Sequence, residues 1–480
     1  MNRRRRKQIA LHEYPVGFGG IKVFPDNRWV KLAEIIPWDL VDKKYAENFE
    51  GKTTGSPAIE SRMAFGALII KEELRLSDED TVLMIRENPH CQYFLGMNEF
   101  TNHPPFDSSK MVAFRKRFPA AAMAEINEAI ISQNRNDQPP TATASGNEND
   151  KGETGNSGTL ILDATCAPAD IHFPTDVALL NDARERSEQL IDELYIPGTV
   201  MRKPRTHRRK ARKAYLLLVR NKRPGYKLIR KTLRVQLQYL KRNLGHIRSL
   251  SQTTVLTNKQ KILLDVITEL YGQQKQMYIH KNHKAEKRIV SVHQPWVRPI
   301  VRGKLTAATE FGSKIALSME NGFARIEKLS WEAFNEATTL KDSCDRYRER
   351  NGFYPDRILA DKIYRNRDNL NFCKTNGIKM NGPKLGRPPK DKKLYEQQKY
   401  LERTEAGERN AIEGKFGEAK RRYGLGRVMS RLSDTSDTVI HTTILVMNLK
   451  KRLRDLFVFF YHLPDFLFQR LLFENSLVKQ

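Results

Sequence analysis

One stretch of the sequence cannot take part in any folded core. From Gln133 to Gly158 the chain contains no aromatic residue and no aliphatic residue larger than Ala. A segment with so little apolar surface cannot offset the entropy lost on ordering, so it predicts a disordered linker. The chain must then build its cores on either side of this linker. We predict an N-terminal domain over residues 1–132 and a second folded region that begins at Thr159.

The charge balance of the chain restricts its partners. Among 480 residues, 84 Lys and Arg oppose 56 Asp and Glu, which gives a formal net charge of +28. So large a surplus favours a polyanionic partner, either nucleic acid or an anionic membrane surface. A membrane span needs roughly 18 apolar residues, and the longest aromatic and aliphatic run, Leu456 to Tyr461, is far shorter.

Targeting and cysteine signals are weak. The basic segment Met1 to Lys7 is not followed by an apolar segment, so we do not expect a secretory signal. The four Cys show no paired spacing that predicts a zinc site or a disulfide framework. We therefore expect a cytoplasmic protein that does not engage a membrane.

The N-terminal domain is predicted to be all-α. Apolar residues at spacings of three and four indicate a helix from Trp29 to Phe49, and a Ser-Pro start indicates a second at Ser56. A third should begin at Ser77, where acids follow at the positive end of the helix dipole. The last, Ser108 to Phe118, ends in three basic residues, Arg115, Lys116 and Arg117. A basic final helix fits DNA recognition, and an ordinary helical docking domain fits the same residues equally well.

After the linker the pattern changes to that of an α/β domain. The apolar run Thr159 to Asp163 predicts a buried strand. Further strands are indicated at Ile289 to Val292, Gly312 to Ser318, Phe323 to Leu329 and Asp356 to Asp361. A helix is predicted from Ser330 to Asn351. Strands followed by helix and strand predict a mixed sheet.

A long helical insertion separates the first of these strands from the others. It runs from about residue 179 to 283, and residues 201–250 contain 18 Lys and Arg and no Asp or Glu. A solvated helix face normally mixes signs, so this charge favours contact with phosphates. The residues of this insertion that we predict to bind DNA are Arg208, Arg209, Lys210, Arg212 and Lys213.

The same insertion carries a helical seam of apolar residues at spacings of four, three, four and three. These residues are Leu233, Leu237, Leu240, Leu244 and Ile247. Such a seam predicts packing on another helix. We favour a hairpin with a helix at about Lys259 to Tyr278 over a zipper between two chains.

Three acidic residues stand where an active site can form. Asp163 and Asp361 each end an apolar strand, so both emerge at one sheet edge if the two strands are neighbours. A single Asp after a strand is usually a cap or turn residue, whereas paired carboxylates are the hard ligands that Mg²⁺ requires. A third acid, Glu413, lies on a predicted helix from Glu405 to Tyr423, one turn after Arg409. Helix geometry alone explains Glu413 equally well by an intrahelical pair with Arg409.

The sequence around Glu413 resembles the signature of bacterial insertion-sequence transposases of the Asp–Asp–Glu type. That signature is Tyr, two residues, Arg, three residues, Glu, six residues and Lys. Arg409, Glu413 and Lys420 match it in type and spacing. The Tyr position holds Ala406, which removes whatever contact a ring makes there and leaves the acid in place.

Further segments extend the resemblance. Leu160 to Thr165 is similar to the family's first-Asp strand, and Ile358 to Tyr364 is similar to its second. Residues from about Ser56 to Phe118 are similar to the helical N-terminal domain of the InsH-like, insertion-sequence-five-type group. The resemblance implies a ribonuclease-H-like α/β catalytic domain with a large helical insertion, preceded by an all-α N-terminal domain. We expect the catalytic domain over 159–450 and a C-terminal helical tail over 451–480.

The resemblance also implies a DNA transposase with a metal-dependent active site. Asp163, Asp361 and Glu413 would be its catalytic residues and would bind two Mg²⁺ ions, or Mn²⁺ in their place. The enzyme would cut the ends of an insertion element and join the 3′-OH to target DNA by two-metal phosphoryl transfer. Basic residues beside the acids would contact DNA phosphates, namely Arg409, Lys420, Arg421 and Arg422. No nucleotide cofactor is expected, because neither a phosphate-binding loop nor a dinucleotide fingerprint occurs.

The implied partners are double-stranded DNA, as terminal inverted repeats and as target, and a second copy of the chain that pairs the two ends. We expect association with a bacterial nucleoid. Two alternatives share the same residues: a relic that binds DNA without catalysis, and a Mg²⁺-dependent nuclease without strand transfer. A basic protein that binds RNA is less well supported, because no aromatic stacking motif of the common RNA modules is visible.

Overall fold

The structure is a computed structural model that describes residues 23–49, 57–137, 155–198, 202–301, 309–382 and 391–477. The chain divides into two compact units. Unit 1 comprises Met1–Ala167, Ile315–Leu329 and Phe334–Gln480, and unit 2 comprises Pro168–Lys314 and Ser330–Ala333. Most of the predicted linker, 138–154, lies outside the described residues.

Seven α-helices precede the predicted linker in the described part of the chain. They are α1 (Arg28–Ile35), α2 (Trp38–Ala46), α3 (Ser61–Leu74), α4 (Asp78–Glu87), α5 (Pro89–Phe94), α6 (Lys110–Arg117) and α7 (Ala120–Asp137), with a 3₁₀ turn at Glu47–Phe49. Helix α4 begins as predicted, because the Ser77 hydroxyl accepts the N–H of Asp80 at 3.0 Å. The continuous first helix is wrong, since Pro37 lacks the N–H that a helix interior needs.

Two other boundaries in this region differ from the predictions. The predicted start at Ser56 lies outside the described residues, and the second predicted helix, α3, begins at Ser61 instead. The basic helix α6 is not the last one, because α7 follows it and continues into the predicted linker as far as Asp137. The sequence did not predict α7, because its first turn is mostly alanine and shows no strong apolar periodicity.

Six strands form a mixed sheet. They are β1 (Thr159–Pro168), β2 (Arg298–Val301), β3 (Thr309–Glu320), β4 (Phe323–Ser330), β5 (Arg357–Ala360) and β6 (Lys379–Met380). The order is β2-β3-β1-β5-β6, with β4 also paired to β3. Strands β1 and β6 both run parallel to β5, whereas β2 is antiparallel to β3. The turn from β3 to β4 is Asn321-Gly322, both at positive φ, as tight hairpin turns require.

Four of the five predicted strands are therefore present, and one is wrong. Residues Ile289 to Val292 form a loop, and their apolar side chains are buried against helices of unit 2 instead. The helix predicted from Ser330 begins only at Leu340, after β4 and a 3₁₀ turn at Glu336–Thr339.

Helices cover both faces of the sheet around β1 and β5. On one face, α12 (Leu340–Asn351) and α13 (Arg367–Thr375) share a core with Leu160 and Leu162. On the other, α14 (Lys392–Arg422) buries Ile412 and Phe416 in the core on which Ile161 packs. Because side chains alternate along a strand, Asp163 shares the α14 face with Ile161. Helix α14 is longer than predicted and contains the whole predicted segment up to Arg422.

The helices before the linker and the C-terminal helix share one core. Helix α15 (Ser433–Leu477) packs against α3, α6 and α7. Asn448 of α15 donates to Asn127 Oδ1 of α7 at 2.8 Å, and Arg325 of β4 pairs with Glu128 of α7 at 2.6 Å. The helices before the predicted linker and α15 after it therefore bury each other's apolar side chains. The described part of the predicted tail, from residue 451, continues α15. The two compact units do not follow the predicted domain boundaries. The functions assigned to the separate domains stay a prediction.

Unit 2 is largely helical over the residues of the predicted insertion. It contains α8 (Asp176–Leu194), α9 (Arg208–Val219), α10 (Tyr226–Leu250) and α11 (Asn258–His280). The seam residues Leu237 and Leu240 of α10 are buried with Ile267 of α11, as predicted. They are also buried with Leu179 and Leu180 of α8, a partner that the sequence did not indicate. The seam is therefore taken up within one chain. Among the described residues, no helix is both long and apolar enough to cross a membrane.

Candidate active site

Asp163 and Asp361 lie side by side where the pairing of β1 with β5 ends. Strands β1 and β5 pair in parallel, and the last residues in their register are Leu162 and Ala360. The two aspartates are the next residues along the chain, so both carboxylates lie on the same face. Asp361 follows the end of β5 as predicted, but Asp163 does not end its strand, because β1 continues beside β3 as far as Pro168. The condition set by the sequence, that the two strands be neighbours, is met.

A backbone N–H anchors each of these carboxylates. Asp163 Oδ1 accepts the N–H of Ala164 at 2.8 Å, and Asp361 Oδ1 accepts the N–H of Lys362 at 2.7 Å. Asp361 is exposed and caps the 3₁₀ turn Lys362–Tyr364, whereas the Asp163 side chain is only 15% exposed. These backbone N–H groups thus fix one carboxylate oxygen of each aspartate and leave the other oxygen for a further partner.

On helix α14, Arg409 lies between Asp163 and a third acid, Glu413. Arg409 Nη2 lies 2.9 Å from Glu413 Oε1, and Arg409 Nη1 lies 3.6 Å from Asp163 Oδ2. The guanidinium therefore lies between the two carboxylates. The intrahelical pair that the sequence left as an alternative exists, and the same arginine also reaches the sheet edge.

Sequence reasoning missed a fourth carboxylate at this edge. Glu336 opens the 3₁₀ turn Glu336–Thr339, which packs against the turn after Asp361. Asn369 joins the two turns by donating from Nδ2 to one backbone oxygen of each, at 2.9 Å in both cases. Burial, and next the charge of Glu336, raises the pKa of the Tyr364 hydroxyl in the second turn. No motif marks position 336, so only the fold brings this acid to the site.

Burial makes Asp163 a weaker acid than an ordinary aspartate. Loss of hydration raises its pKa from 3.8 to about 6, and the Glu336 and Asp361 carboxylates add to the rise. The N–H of Ala164 and the guanidinium of Arg409 act in the opposite direction. Carboxylates shifted by burial and by like charges in an accessible cleft are typical of functional sites.

This shift predicts a pH-dependent gain of stability in Asp163→Asn. Since the folded state binds the Asp163 proton more tightly than the unfolded state, the free energy of unfolding falls as pH rises from about 4 to about 6. At pH 7 the ionised residue then costs about 2–3 kcal/mol, which the neutral Asn avoids. Urea unfolding of both proteins across this range measures the difference, with Asp368→Asn, an exposed acid on α13, as the control for removing one charge. Parallel stability curves for wild type and Asp163→Asn would contradict the prediction.

The acids fit Mg²⁺ in kind, because they offer only hard carboxylate oxygens. Two of them, Asp163 and Asp361, are in place side by side, directly after the last paired residues of β1 and β5. Glu413 turns its carboxylate to Arg409, and its side chain is 52% exposed. Within the described ranges, no three Asp, Glu, His or Cys side chains form a group that is able to hold one ion. The third acid must therefore leave the arginine before it can join the other two.

The predicted phosphate contacts on α14 lie at its C-terminal end. Lys420 is partly exposed, and Arg421 and Arg422 are exposed in the last turn. The backbone oxygen of Arg421 accepts from Arg75 Nη1 at 2.9 Å, so the end of α14 also touches the helices before the linker. The charged ends of Arg421 and Arg422 stay accessible to a polyanion.

The basic run on α6 is placed differently from the prediction. Arg115 is 6% exposed and donates two hydrogen bonds to Asp78, at 2.9 and 2.7 Å. Arg117 donates to the Tyr45 hydroxyl at 2.6 Å. A DNA contact by Arg115 is incompatible with this burial, because the buried guanidinium would have to break both hydrogen bonds to Asp78. Of the three residues, only Lys116 has an exposed side chain, 51%, with Asp434 at 3.9 Å.

The five predicted DNA-binding residues of unit 2 are all exposed on α9. Arg208 pairs with Asp192 of α8 at 2.9 Å. The other four form no ion pair with any described residue: Arg209, Lys210, Arg212 and Lys213. Helix α9 therefore presents an uncompensated positive face to solvent.

Two regions of the chain match known families. Residues 358–450 match a family described as a transposase DDE domain, and this stretch contains Asp361 and Glu413. Residues 21–117 match a family described as a transposase domain, which takes in α1 to α6. Over these two regions the chain is similar to transposases. Asp163 precedes the DDE match, and membership of the InsH-like group stays a prediction.

One curated relative is similar to part of the chain. Over 107 residues the chain is 33% identical to "Uncharacterized protein ORF8 in nfe locus" of Rhizobium meliloti. The alignment covers 22% of this chain and 51% of the relative, so the chain spans about half the length of the curated relative that it matches. No solved structure matches the chain.

Proposed function

We propose that this protein is a transposase that cuts DNA at the ends of an insertion element and joins the freed 3′-OH to target DNA. The observation that carries the proposal is the placement of Asp163 and Asp361 side by side where the parallel pairing of β1 with β5 ends, with Glu413 linked to Asp163 through Arg409. The family match over Asp361 and Glu413 supports the same reading.

The proposal includes a ribonuclease-H-like catalytic domain. A mixed sheet with helices on both faces, and acids where the pairing of its parallel strands β1 and β5 ends, supports it. The insertion that forms most of unit 2 leaves this sheet after β1, and the chain returns to the sheet at β2. Large additions of this kind are tolerated at strand ends, because they do not interrupt the strand pairing itself.

Asp163, Asp361 and Glu413 would hold two Mg²⁺ ions, or Mn²⁺ in their place. When bound, such ions stabilise the charge that develops on a phosphodiester and lower the pKa of water. The chain itself contributes rigid placement: the strand pair sets the spacing of the two aspartates, and backbone N–H groups fix their rotation. Preorganised ligands of this kind avoid the entropy of assembling a site at each turnover.

Both proposed steps exchange one phosphorus–oxygen bond for another. In the first, a water oxygen bonds to phosphorus at the element's end, the bond to the 3′ oxygen breaks, and a 3′-OH is released. In the second, that hydroxyl loses its proton and attacks a phosphodiester of the target, whose own 3′ oxygen leaves. The bonds made and broken are alike, so no external energy source is needed. Phosphates beside the cut would contact Lys420, Arg421 and Arg422.

The remaining basic residues have a proposed role in holding the duplex. Contacts to phosphates fix position without reading sequence. The exposed face of α9 would bind DNA of any sequence, and the helices before the linker, with Lys116 exposed, would recognise the terminal repeats. We also propose a homodimer on DNA, because joining two element ends requires two active sites to be brought together.

Neutralising the unpaired part of α9 is expected to weaken binding to every sequence by a similar factor. The variant Arg209→Gln, Lys210→Gln, Arg212→Gln, Lys213→Gln removes four potential phosphate contacts. Because each contact contributes about −0.9 to the slope of log K against log salt, the slope should shrink by about 3–4. Replacing Lys341 and Lys374, exposed on α12 and α13, by Gln controls for charge removal elsewhere. Unchanged slopes in repeat and random duplexes would exclude α9 from the DNA surface.

One assay separates the proposal from its two alternatives. The full chain is incubated with Mg²⁺, a duplex that ends in the inverted repeat flanking the gene, and a plasmid target. A joined product supports a transposase, cleavage without joining supports a nuclease, and binding without cleavage supports a relic.

A further inference from the structure

The guanidinium of Arg409 lies between two of the proposed metal ligands. Nη1 is 3.6 Å from Asp163 Oδ2, and Nη2 is 2.9 Å from Glu413 Oε1. The other oxygen of Asp163 is already engaged, since Oδ1 accepts the N–H of Ala164. The Asp163 oxygen that is open to a cation is therefore the one that faces Arg409.

Packing and an ion pair hold the backbone of α14 in place around Arg409, so a change at this site involves side-chain rotation. Further along α14, Ile412 and Phe416 are buried in the core. The neighbouring Glu408 pairs with Arg357 of β5 at 2.7 Å, which ties this part of α14 to the sheet. The side chain of Arg409 is 21% exposed and that of Glu413 is 52% exposed. Both reach solvent, so a rotation of either separates them without moving the backbone.

We infer that Arg409 is a positioning residue that competes with a divalent cation for Asp163 and Glu413, and that a DNA phosphate relieves this competition by drawing the guanidinium away. The inference rests on the proposed function, because it takes the two acids as metal ligands and DNA as the substrate. It gives Arg409 a task beyond the phosphate contact that the sequence predicts.

Elementary electrostatics sets the direction of the effect. A positive charge within 4 Å of both carboxylates opposes the approach of a cation to the same oxygens. A guanidinium binds phosphate oxygens through the same bidentate fork with which it binds a carboxylate. Because phosphate removes the competitor, DNA raises the affinity for the cation, and by linkage the cation raises the affinity for DNA by the same factor.

The test measures Mn²⁺ binding to the full chain by electron paramagnetic resonance, with and without a short duplex whose own signal is subtracted. Without duplex, Arg409→Gln should bind Mn²⁺ about tenfold more tightly than wild type, because the competing charge is gone. Duplex should tighten wild-type binding about tenfold and that of Arg409→Gln at most about twofold. Arg403→Gln, which removes the same charge from an exposed position of α14, should behave as wild type.

Two results overturn the inference. In the first, Arg409→Gln binds Mn²⁺ no more tightly than wild type does. In the second, duplex tightens Mn²⁺ binding to Arg409→Gln by as large a factor as it does for wild type. Asp163→Asn distinguishes this failure from that of the proposed function. If Asp163→Asn keeps wild-type Mn²⁺ binding, Asp163 is not a ligand and the proposed site itself is wrong. If it loses binding while Arg409→Gln matches Arg403→Gln, only the role of Arg409 is wrong.

Discussion

Asp163→Asn, Asp361→Asn and Glu413→Gln are each expected to reduce Mg²⁺-dependent strand cleavage by at least about 10³-fold. Each change keeps the size of the side chain and removes the negative charge that a hard cation needs. DNA affinity should change by less than about twofold, because phosphate contacts elsewhere supply most of the binding. Nicking of an end-bearing duplex measures the first effect, and a gel-shift titration at fixed salt measures the second.

A matched control lies on the same helix. Glu418 is also an acid of α14, but it pairs with Lys415 at 3.3 Å and its side chain is 21% exposed. Glu418→Gln should therefore keep cleavage. If Glu418→Gln is inactive and Glu413→Gln cleaves, the wrong acid has been assigned on α14. If all three triad variants cleave at wild-type rate, the reaction takes place elsewhere in the molecule.

The parts of the site that the sequence predicts are those encoded locally. Two apolar runs, each followed by Asp, need only pair in parallel to bring Asp163 and Asp361 together, although β1 continues past Asp163 to Pro168. Spacing along one helix places Arg409 and Glu413 on a common face whatever the rest of the chain does. Local patterns of this kind carry over into the structure almost unchanged.

Contacts between distant segments are what the sequence could not predict. Arg115 looks like a surface residue beside Lys116 and Arg117, yet Asp78, 37 positions earlier, takes its guanidinium into the interior. Glu336 looks like an ordinary helix-start acid until the turn after Asp361 packs against it. In both cases the partner is chosen by packing, and no periodicity in either segment reports it.

The linker shows a related limit. Its composition predicts that it lies outside any core, but composition does not say whether the segments on either side fold apart. The helices before it have apolar faces that α15 covers, and α15 is the last helix of the described chain. A variant that lacks residues 1–132 would expose that shared core. Point substitutions, rather than truncation, are therefore the suitable test of what the N-terminal helices recognise.

Asn448→Leu is expected to lower the free energy of unfolding by about 3–5 kcal/mol, although Leu keeps the branch at Cγ. Asn448 is fully buried on α15 and satisfies both backbone groups of Ala324 on β4: its Oδ1 accepts the N–H at 3.0 Å, and its Nδ2 donates to the oxygen at 2.7 Å. The same Nδ2 donates to Asn127 of α7 at 2.8 Å. The Asn448 amide thus pairs with the backbone of β4 as a neighbouring strand would. It connects α15, β4 and α7, which lie far apart in sequence.

The leucine variant leaves the N–H of Ala324 without this acceptor inside the protein, and it removes the amide that joins α7 to β4. Each buried polar group left unpaired costs about 1–3 kcal/mol, which sets the expected range. Asn371→Leu, the same change at an exposed position of α13, should shift stability by less than about 0.5 kcal/mol. Urea unfolding followed by circular dichroism measures both. A wild-type midpoint for Asn448→Leu would contradict the prediction and would mean that the contacts of α7 with β4 rest on other interactions, such as the pair of Arg325 with Glu128.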